Sequence, residues 1–174
     1  MSAAAAYSEL AGRLADASGD VIRRHFRNLP DVSDKVDASP VTIADRQAEE
    51  VMRALLEIEC PDHGILGEEG ENVRQDADYL WVLDPIDGTK NFASGSYQFG
   101  TLISLLLDGA PILGIINQPV LGERWFGLAG ETTTLNGQPI KTRACSTLAD
   151  AWMYSTNPAM FQGSAKRAFK SLSG

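Results

Sequence analysis

The segment Trp81-Val82-Leu83-Asp84-Pro85-Ile86-Asp87-Gly88-Thr89-Lys90-Asn91-Phe92 holds the residues with the most chemical potential in the chain. An apolar run of strand length, Tyr79 to Leu83, delivers Asp84 at its end. Pro85 fixes the turn there and removes a backbone donor. Asp87 follows three residues after Asp84. Gly88 and Thr89 then open a helical turn, whose first N–H groups have no intrahelical acceptor. Two carboxylates on a rigid turn suit a hard cation such as Mg²⁺. Free N–H groups at a helix start suit a phosphate. Together they read as a metal-plus-phosphate site. Asp-Pro and Asp-Gly also favour turns in their own right, so the motif alone leaves a purely structural reading open.

Other carboxylates shift that balance. Gly67-Glu68-Glu69-Gly70 places two more just after a short apolar strand, and Asp45 falls in the first turn of a helix. Each alone has a bland reading, as a solvated loop or as a partner of the helix dipole. Three such segments in one short chain are harder to set aside. Competing chemistries find little support. Neither Cys60 nor Cys145 has an arginine six residues on, as a cysteine-phosphatase loop would. There is no G-x-x-x-x-G-K-[ST]. His25 lies on an apolar helix face and reads as structural. His63 follows a helix stop and reads as a loop residue.

These groups need elements to position them. Leu10, Leu14, Ala17, Val21 and His25 recur at helical spacing, which predicts a helix from Ser2 to about Phe26, stopped by Asn28-Leu29-Pro30. Asp31 to Pro40 reads as a loop. Thr42, with Asp45 three residues on, predicts an N-cap for a second helix with an apolar stripe at Ala44, Ala48, Val51, Met52 and Leu55. The period then changes. Gly64 to Gly67 and Tyr79 to Leu83 read as strands. Phe99–Leu107 and Pro111–Asn117, joined by Asp108-Gly109, read as a hairpin. Glu123–Leu128 predicts another strand. Leu135-Asn136-Gly137-Gln138 predicts a short turn, Trp152-Met153-Tyr154 a strand, and Met160 to Leu172 a helix. The order predicts an α+β fold, with layered helices on a mostly antiparallel sheet. The expectation is a single domain over 1–174, with no repeat or internal linker.

Composition limits the partners. Of 174 residues, 15 are Lys or Arg and 23 are Asp or Glu, a net charge of −8. That lacks the basic footprint of nucleic-acid binding and is unsuited to anionic lipid. With 44% hydrophobic and 22% charged residues, the chain is ordinary for a globular protein. Two cysteines make no disulfide framework. No apolar run has the length to span a membrane, and the N-terminal residues lack the features of a secretory signal. The expected location is the cytoplasm.

Gly67-Glu68-Glu69, Asp84-Pro85-Ile86-Asp87-Gly88-Thr89 and Val41-Thr42-Ile43-Ala44-Asp45 resemble the three N-terminal motifs of the inositol monophosphatase family, in family order and spacing. The resemblance runs from about Ala11 to the end. It implies the N-terminal half of the inositol monophosphatase/fructose-bisphosphatase fold and a Mg²⁺-dependent phosphomonoesterase, with two or three ions per site. It further implies that Glu68, Asp84 and the Ile86 carbonyl hold one metal and that Asp84 and Asp87 share a second. Thr89 and Asp45, helped by Glu68, would orient the attacking water. Gly88, Thr89 and Asp87 would bind the phosphate. Glu69 would be a weaker ligand or act behind the ligands, and Lys35 stands where the family often has a basic residue. A small phosphate monoester is the implied partner, and a homodimer the implied assembly.

Phe99 to Leu106, Asn117 to Trp125, Arg143-Ala144-Cys145 and Ser155-Thr156-Asn157-Pro158 resemble the histidinol-phosphatase branch, which hydrolyses L-histidinol phosphate in histidine biosynthesis. An inositol monophosphatase or a broad sugar-phosphate phosphatase of the same family is the alternative. A haloacid-dehalogenase-type phosphatase fits less well, because its motif is D-x-D-x-T and two residues separate Asp84 from Asp87 here. Resembling proteins continue into a second half with a W-D-x-A motif that ligates the second metal. Here Trp152 is followed by Met153 and Trp81 by Val82. The expectation is therefore a metal-binding N-terminal half without its C-terminal half. A catalytically incomplete fragment, a binding half rather than an enzyme, is the reading of a different class.

Overall fold

A computed structural model describes residues 3–28, 32–34, 40–155 and 157–173. The chain forms two compact units, residues 1–141 and 142–174. In the first unit the elements run α1 (Ala3–Ala6), α2 (Ser8–His25), β1 (Val32–Asp34), β2 (Pro40–Thr42), α3 (Ile43–Glu59), β3 (Gly64–Gly67), β4 (Tyr79–Asp87), α4 (Thr89–Ala93), β5 (Gly100–Leu107), β6 (Ala110–Gln118), β7 (Glu123–Leu128), β8 (Thr134–Leu135) and β9 (Gln138–Pro139). The α+β architecture matches the expectation. The sheet is mixed: seven strands stand in chain order, β3 to β9, with β3 parallel to β4 and every later pair antiparallel.

Both predicted turns carry the backbone their residues favour. Asp108 and Gly109, between β5 and β6, have φ of 50° and 76°, and Asn136 and Gly137, between β8 and β9, have 49° and 78°. Two successive positive φ values match the twist of the flanking strands, which is why Asp-Gly and Asn-Gly sit there.

Period-two alternation sorts the sheet. Trp81, Leu83, Ile103, Leu105, Leu113 and Ile115 are buried, and with Leu10, Leu14, Met52, Leu56 and Ile65 they make the larger core, beneath α2 and α3. A smaller core of Val21, Ile22, Ala44, Ala48, Ile86, Phe92 and Phe99 lies where β4 passes into α4. Phe92 meets Phe99 edge-on at 5.0 Å between ring centroids, and Phe26 packs on both. The helix-to-sheet seam is also polar. Arg124 donates to Asp16 at 2.7 Å and to Asn117 Oδ1 at 2.9 Å, and Asn117 donates to the Ala15 carbonyl at 3.2 Å.

Several local expectations are corrected. The first helix breaks at Tyr7, whose ring turns into a cluster with His63, Tyr79 and Trp81, so packing of one aromatic overrides the helical period. Its Ser2 end lies outside the described residues. The predicted loop from Asp31 to Pro40 contains β1, antiparallel to β2, because backbone pairing needs no apolar period. β4 does not end at Asp84; it runs on to Asp87, with the pairing to β5 shifted between those two residues. In the second unit Trp152-Met153-Tyr154 forms no strand and is exposed. Its helix, α5, spans Gly163–Ser173 rather than starting at Met160, and Phe161 and Phe169 stack at 4.6 Å. Among the described residues no helix is long and apolar enough to cross a membrane.

His63 is a structural residue with a defined tautomer. The Trp81 indole can only donate, and it does so to His63 Nδ1 at 3.1 Å, so the ring proton sits on Nε2, facing the Tyr7 hydroxyl at 3.3 Å. Burial lowers the His63 pKa, the Arg74 charge adds to this, and Asp62 opposes it. The unfolded chain then binds a proton that the folded chain refuses, so this contribution is complete above the ordinary imidazole pKa of about 6.5 and is lost as pH falls below it. The expected outcome is that the fall in Tm between about pH 7 and 5 is shallower in His63→Gln than in wild type. Equal slopes in thermal melts would contradict the role given to His63.

Candidate active site

Three elements bring the acidic motifs together. Asp45 is buried in the first turn of α3 at 1% exposure, and Thr42 immediately precedes that helix, where a cap was expected. Glu68 follows β3, and its N–H donates to the Leu83 carbonyl at 3.2 Å, which ties it to the residue before Asp84. Asp84 is half-buried near the end of β4, and Asp87 is exposed at the strand's last position. Glu69 and Gly70 complete the loop after β3.

The irregular stretch of β4 explains how Asp84 and Asp87 serve one site. Asp84 pairs with Leu102 and Asp87 with Gly100, a local irregularity that breaks strict alternation. Pro85, which lacks an N–H, sits inside it, and its buried carbonyl accepts the Thr101 hydroxyl at 2.9 Å. Ile86 plugs the smaller core. Gly88 follows at φ 97°, a conformation that side chains rarely adopt, and turns the chain into α4. The Thr89 hydroxyl then lies 3.1 Å from the Ile86 carbonyl and 3.4 Å from Asp45 Oδ1, and can donate its one proton to either.

Electrostatics single out Asp84. Its pKa is pushed up to about 8, first by burial, then by a hydrogen bond with Glu68 and the charges of Glu68, Asp87 and Asp45. Asp84 Oδ1 is buried without a hydrogen-bond partner. Like charges crowded around a buried acid disfavour its ionised form, and a bound cation reverses that preference. The donors are all hard oxygens, which suits Mg²⁺ or a similar ion. Among the described residues no three Asp, Glu, His or Cys side chains already form a metal cage. The fit therefore rests on the orphaned Asp84 oxygen and on the neighbours that set its charge. Asp84 also lines an apolar hollow of about 540 Å³ with Val82, Leu102, Ser104, Ile116 and Trp125.

The structure thus brings Asp45, Glu68, Asp84, Asp87, Ile86, Gly88 and Thr89 to one corner of the first unit. Lys35 lies outside the described residues. His25 bonds to Gln47 at 2.8 Å, and His63 belongs to the aromatic cluster. Sequence reasoning missed Glu49, Arg53 and Thr101. Glu49 is 1% exposed, and its carboxylate accepts the N–H groups of Glu69 and Gly70. Its one signal was its place one turn after Asp45 on the inward side of α3.

The inositol monophosphatase family model matches residues 5–172. The chain belongs to the inositol monophosphatase family. That family is one of metal-dependent phosphatases. The chain is 52% identical over 165 residues to the bifunctional phosphatase IMPL2, chloroplastic, of Arabidopsis thaliana, covering 94% of this chain and 48% of that protein. It is 35% identical over 166 residues to the histidinol-phosphatase of Mycobacterium tuberculosis, covering 95% and 60%. A solved inositol monophosphatase from Zymomonas mobilis superposes with a TM-score of 0.85 at 48% identity, covering 99% of this chain and 66% of that one. The chain spans about half the length of the curated relatives it matches.

Gly88 gives a stability test of the turn. A Cβ there would stand 2.9 Å from the Gln98 carbonyl oxygen, on top of the unfavourable φ. Gly88→Ala is expected to lower unfolding stability by about 1–3 kcal/mol in urea titrations, with little change in far-UV circular dichroism. A loss below about 0.5 kcal/mol, the range of ordinary surface changes, would contradict this backbone.

Proposed function

We propose that this chain carries the metal- and phosphate-binding machinery of a divalent-cation-dependent phosphomonoesterase, and that its substrate is L-histidinol phosphate. The observation that carries the reading is the buried, unpartnered Asp84 Oδ1, set among Glu68, Asp87 and Asp45 on the turn that also presents Thr89. Glu68, Asp84 and the Ile86 carbonyl would hold one Mg²⁺, and Asp84 and Asp87 a second. When bound, the ions polarise the phosphoryl oxygens and make a bound water acidic enough to attack at neutral pH.

The chain's own residues do the remaining work. The Thr89 hydroxyl would donate its hydrogen bond to Asp45 Oδ1 and accept one from the attacking water. As the water oxygen attacks, its proton passes to Thr89 Oγ1 while the Thr89 hydroxyl proton passes to buried Asp45, one proton gained by Asp45 in all. The N–H groups of Gly88 and Thr89 donate to the phosphate. No covalent nucleophile is needed: the water oxygen bonds to phosphorus, the ester oxygen leaves and takes a proton from solvent water, and Asp45 returns its proton to solvent.

The choice of substrate is supported by similarity to the Mycobacterium tuberculosis histidinol-phosphatase. A second reading, inositol monophosphatase, is favoured by the high structural similarity to the Zymomonas mobilis enzyme. The test is phosphate release by the purified chain with Mg²⁺, with and without EDTA, from histidinol phosphate and inositol 1-phosphate. EDTA-sensitive release that is faster from histidinol phosphate is the expected result. Faster release from inositol 1-phosphate would select the second reading. Release that ignores EDTA, or no release from folded protein, would overturn the proposal for this chain.

Two variants test the roles. Asp84→Asn should abolish release, since Asp84 is assigned to both metals, and activity within about tenfold of wild type would refute that assignment. Thr89→Ala should lower kcat by about 10²–10³-fold with a smaller effect on the Mg²⁺ concentration needed, because Thr89 orients water. An unchanged kcat with a large rise in the Mg²⁺ requirement would reverse that role.

A further inference from the structure

Glu49 is a fully buried acid outside the ligand set. Its Oε2 accepts the Glu69 N–H at 2.8 Å, and its Oε1 accepts the Gly70 N–H at 2.9 Å and Arg53 Nε–H at 2.7 Å. Arg53 reaches past it, and its Nη1 donates to the Glu71 carbonyl at 2.9 Å. The pair therefore grips three consecutive residues of the loop after β3. On the other side, the Glu68 N–H is tied to Leu83 and the Gly67 N–H to Asn72 Oδ1 at 3.1 Å. Glu68 stands between these two sets of anchors, beside Asp84.

Two glycines make room for the grip. A Cβ at Gly67 would fall 2.1 Å from Glu49 Oε1 and 2.3 Å from Arg53 Nη2, and one at Gly70 would fall 2.9 Å from Arg53 Nε and 3.0 Å from Glu49 Oε1. The glycines flanking Glu68-Glu69 are thus the space that the Glu49–Arg53 pair occupies. Stability alone is a weak reason for this arrangement. Both side chains are largely withdrawn from water, at 2% and 18% exposure, and Arg53 Nη2 is left buried without a hydrogen-bond partner. A buried ion pair with an unmet donor is weak evidence for stability. What the pair does specify is the position of one loop.

We propose that Glu49 is a positioning residue: held by Arg53, its carboxylate pins the Glu69 and Gly70 amides and so sets the Glu68 carboxylate against Asp84 for a divalent cation. The inference rests on the phosphatase reading only in taking Glu68 and Asp84 as the cation's ligands. It adds that the ligand loop is preorganised by an acid that does not touch the ion, as outer groups commonly orient metal ligands.

The test uses the 174-residue chain, with Mn²⁺ as probe. Titrations by calorimetry and by the loss of the free Mn²⁺ paramagnetic resonance signal compare wild type, Glu49→Gln, Arg53→Met and the exposed control Glu57→Gln. Backbone amide exchange is followed at Glu69 and Gly70 without metal. Glu49→Gln is expected to weaken Mn²⁺ binding about 10–100-fold and to speed exchange at those two amides, while the control leaves both unchanged. Arg53→Met, which keeps the carboxylate but frees it, is expected to fall between, and it carries the test if Glu49→Gln fails to fold. Folded variants that bind Mn²⁺ within twofold of wild type would overturn this inference alone. Wild-type amides at Glu69 and Gly70 that exchange as fast as the exposed amides of residues 75–76 would also overturn it. A wild-type chain that takes up no Mn²⁺ would overturn the phosphatase reading and this one together.

Discussion

Everything at the candidate site follows from placing one carboxylate where it cannot easily ionise alone. Asp84 is half-buried, one of its oxygens has no partner, and Glu68, Asp87 and Asp45 surround it with charge of its own sign. Repulsion of this kind would push a loosely held cluster apart. The acids stay together because each is fixed by backbone that has other reasons to be where it is. Asp45 is locked into the first turn of α3, Glu68 is tied to Leu83, and Asp84 and Asp87 stand at either end of a register shift in a central strand pairing. A cation is the simplest group that turns this stored repulsion into attraction.

The two cores divide the labour. The larger one, under α2 and α3, packs the inner face of the sheet and includes Leu83, the residue before Asp84. The smaller one contains Ile86, whose carbonyl faces Thr89, and Phe92 and Phe99, which brace α4 and the start of β5. A cavity in the larger core would be felt first in global stability. A cavity in the smaller one would be felt at the turn that carries Asp84 to Thr89. Close-packed interiors transmit such shifts rather than absorbing them.

The sequence showed the parts of this arrangement that depend on local chemistry. Asp-Gly and Asn-Gly marked turns because those residues tolerate positive φ, and the acidic motifs stood out because their residue types suit a cation wherever they lie. What remained hidden depends on contacts distant along the chain. Glu49 went unread, since its partners, the amides of Glu69 and Gly70, come from 20 and 21 residues away. Tyr7 breaks its helix for partners more than fifty residues on. Pro85 suggested a strand end, yet β4 continues because Thr101, on the neighbouring strand, bonds the carbonyl beside the missing donor.

The same distinction bears on substrate choice. The stretch from Asn117 to Trp125, which resembles the histidinol-phosphatase branch, is occupied with holding the scaffold. Asn117 bridges Ala15 and Arg124, and Gln118 donates to the Tyr97 carbonyl while its Oε1 accepts from Val120 and Leu121. Residues whose polar atoms are already spent on the fold can record ancestry without reading a leaving group. Discrimination between an amino alcohol and a cyclitol requires free polar groups near the ester oxygen, because an unmatched hydroxyl or ammonium costs most where a site is built to bond it. On the proposed reading phosphate would be released at the Asp84–Thr89 turn, and Asn117 and Gln118 would hold the scaffold rather than read the ester.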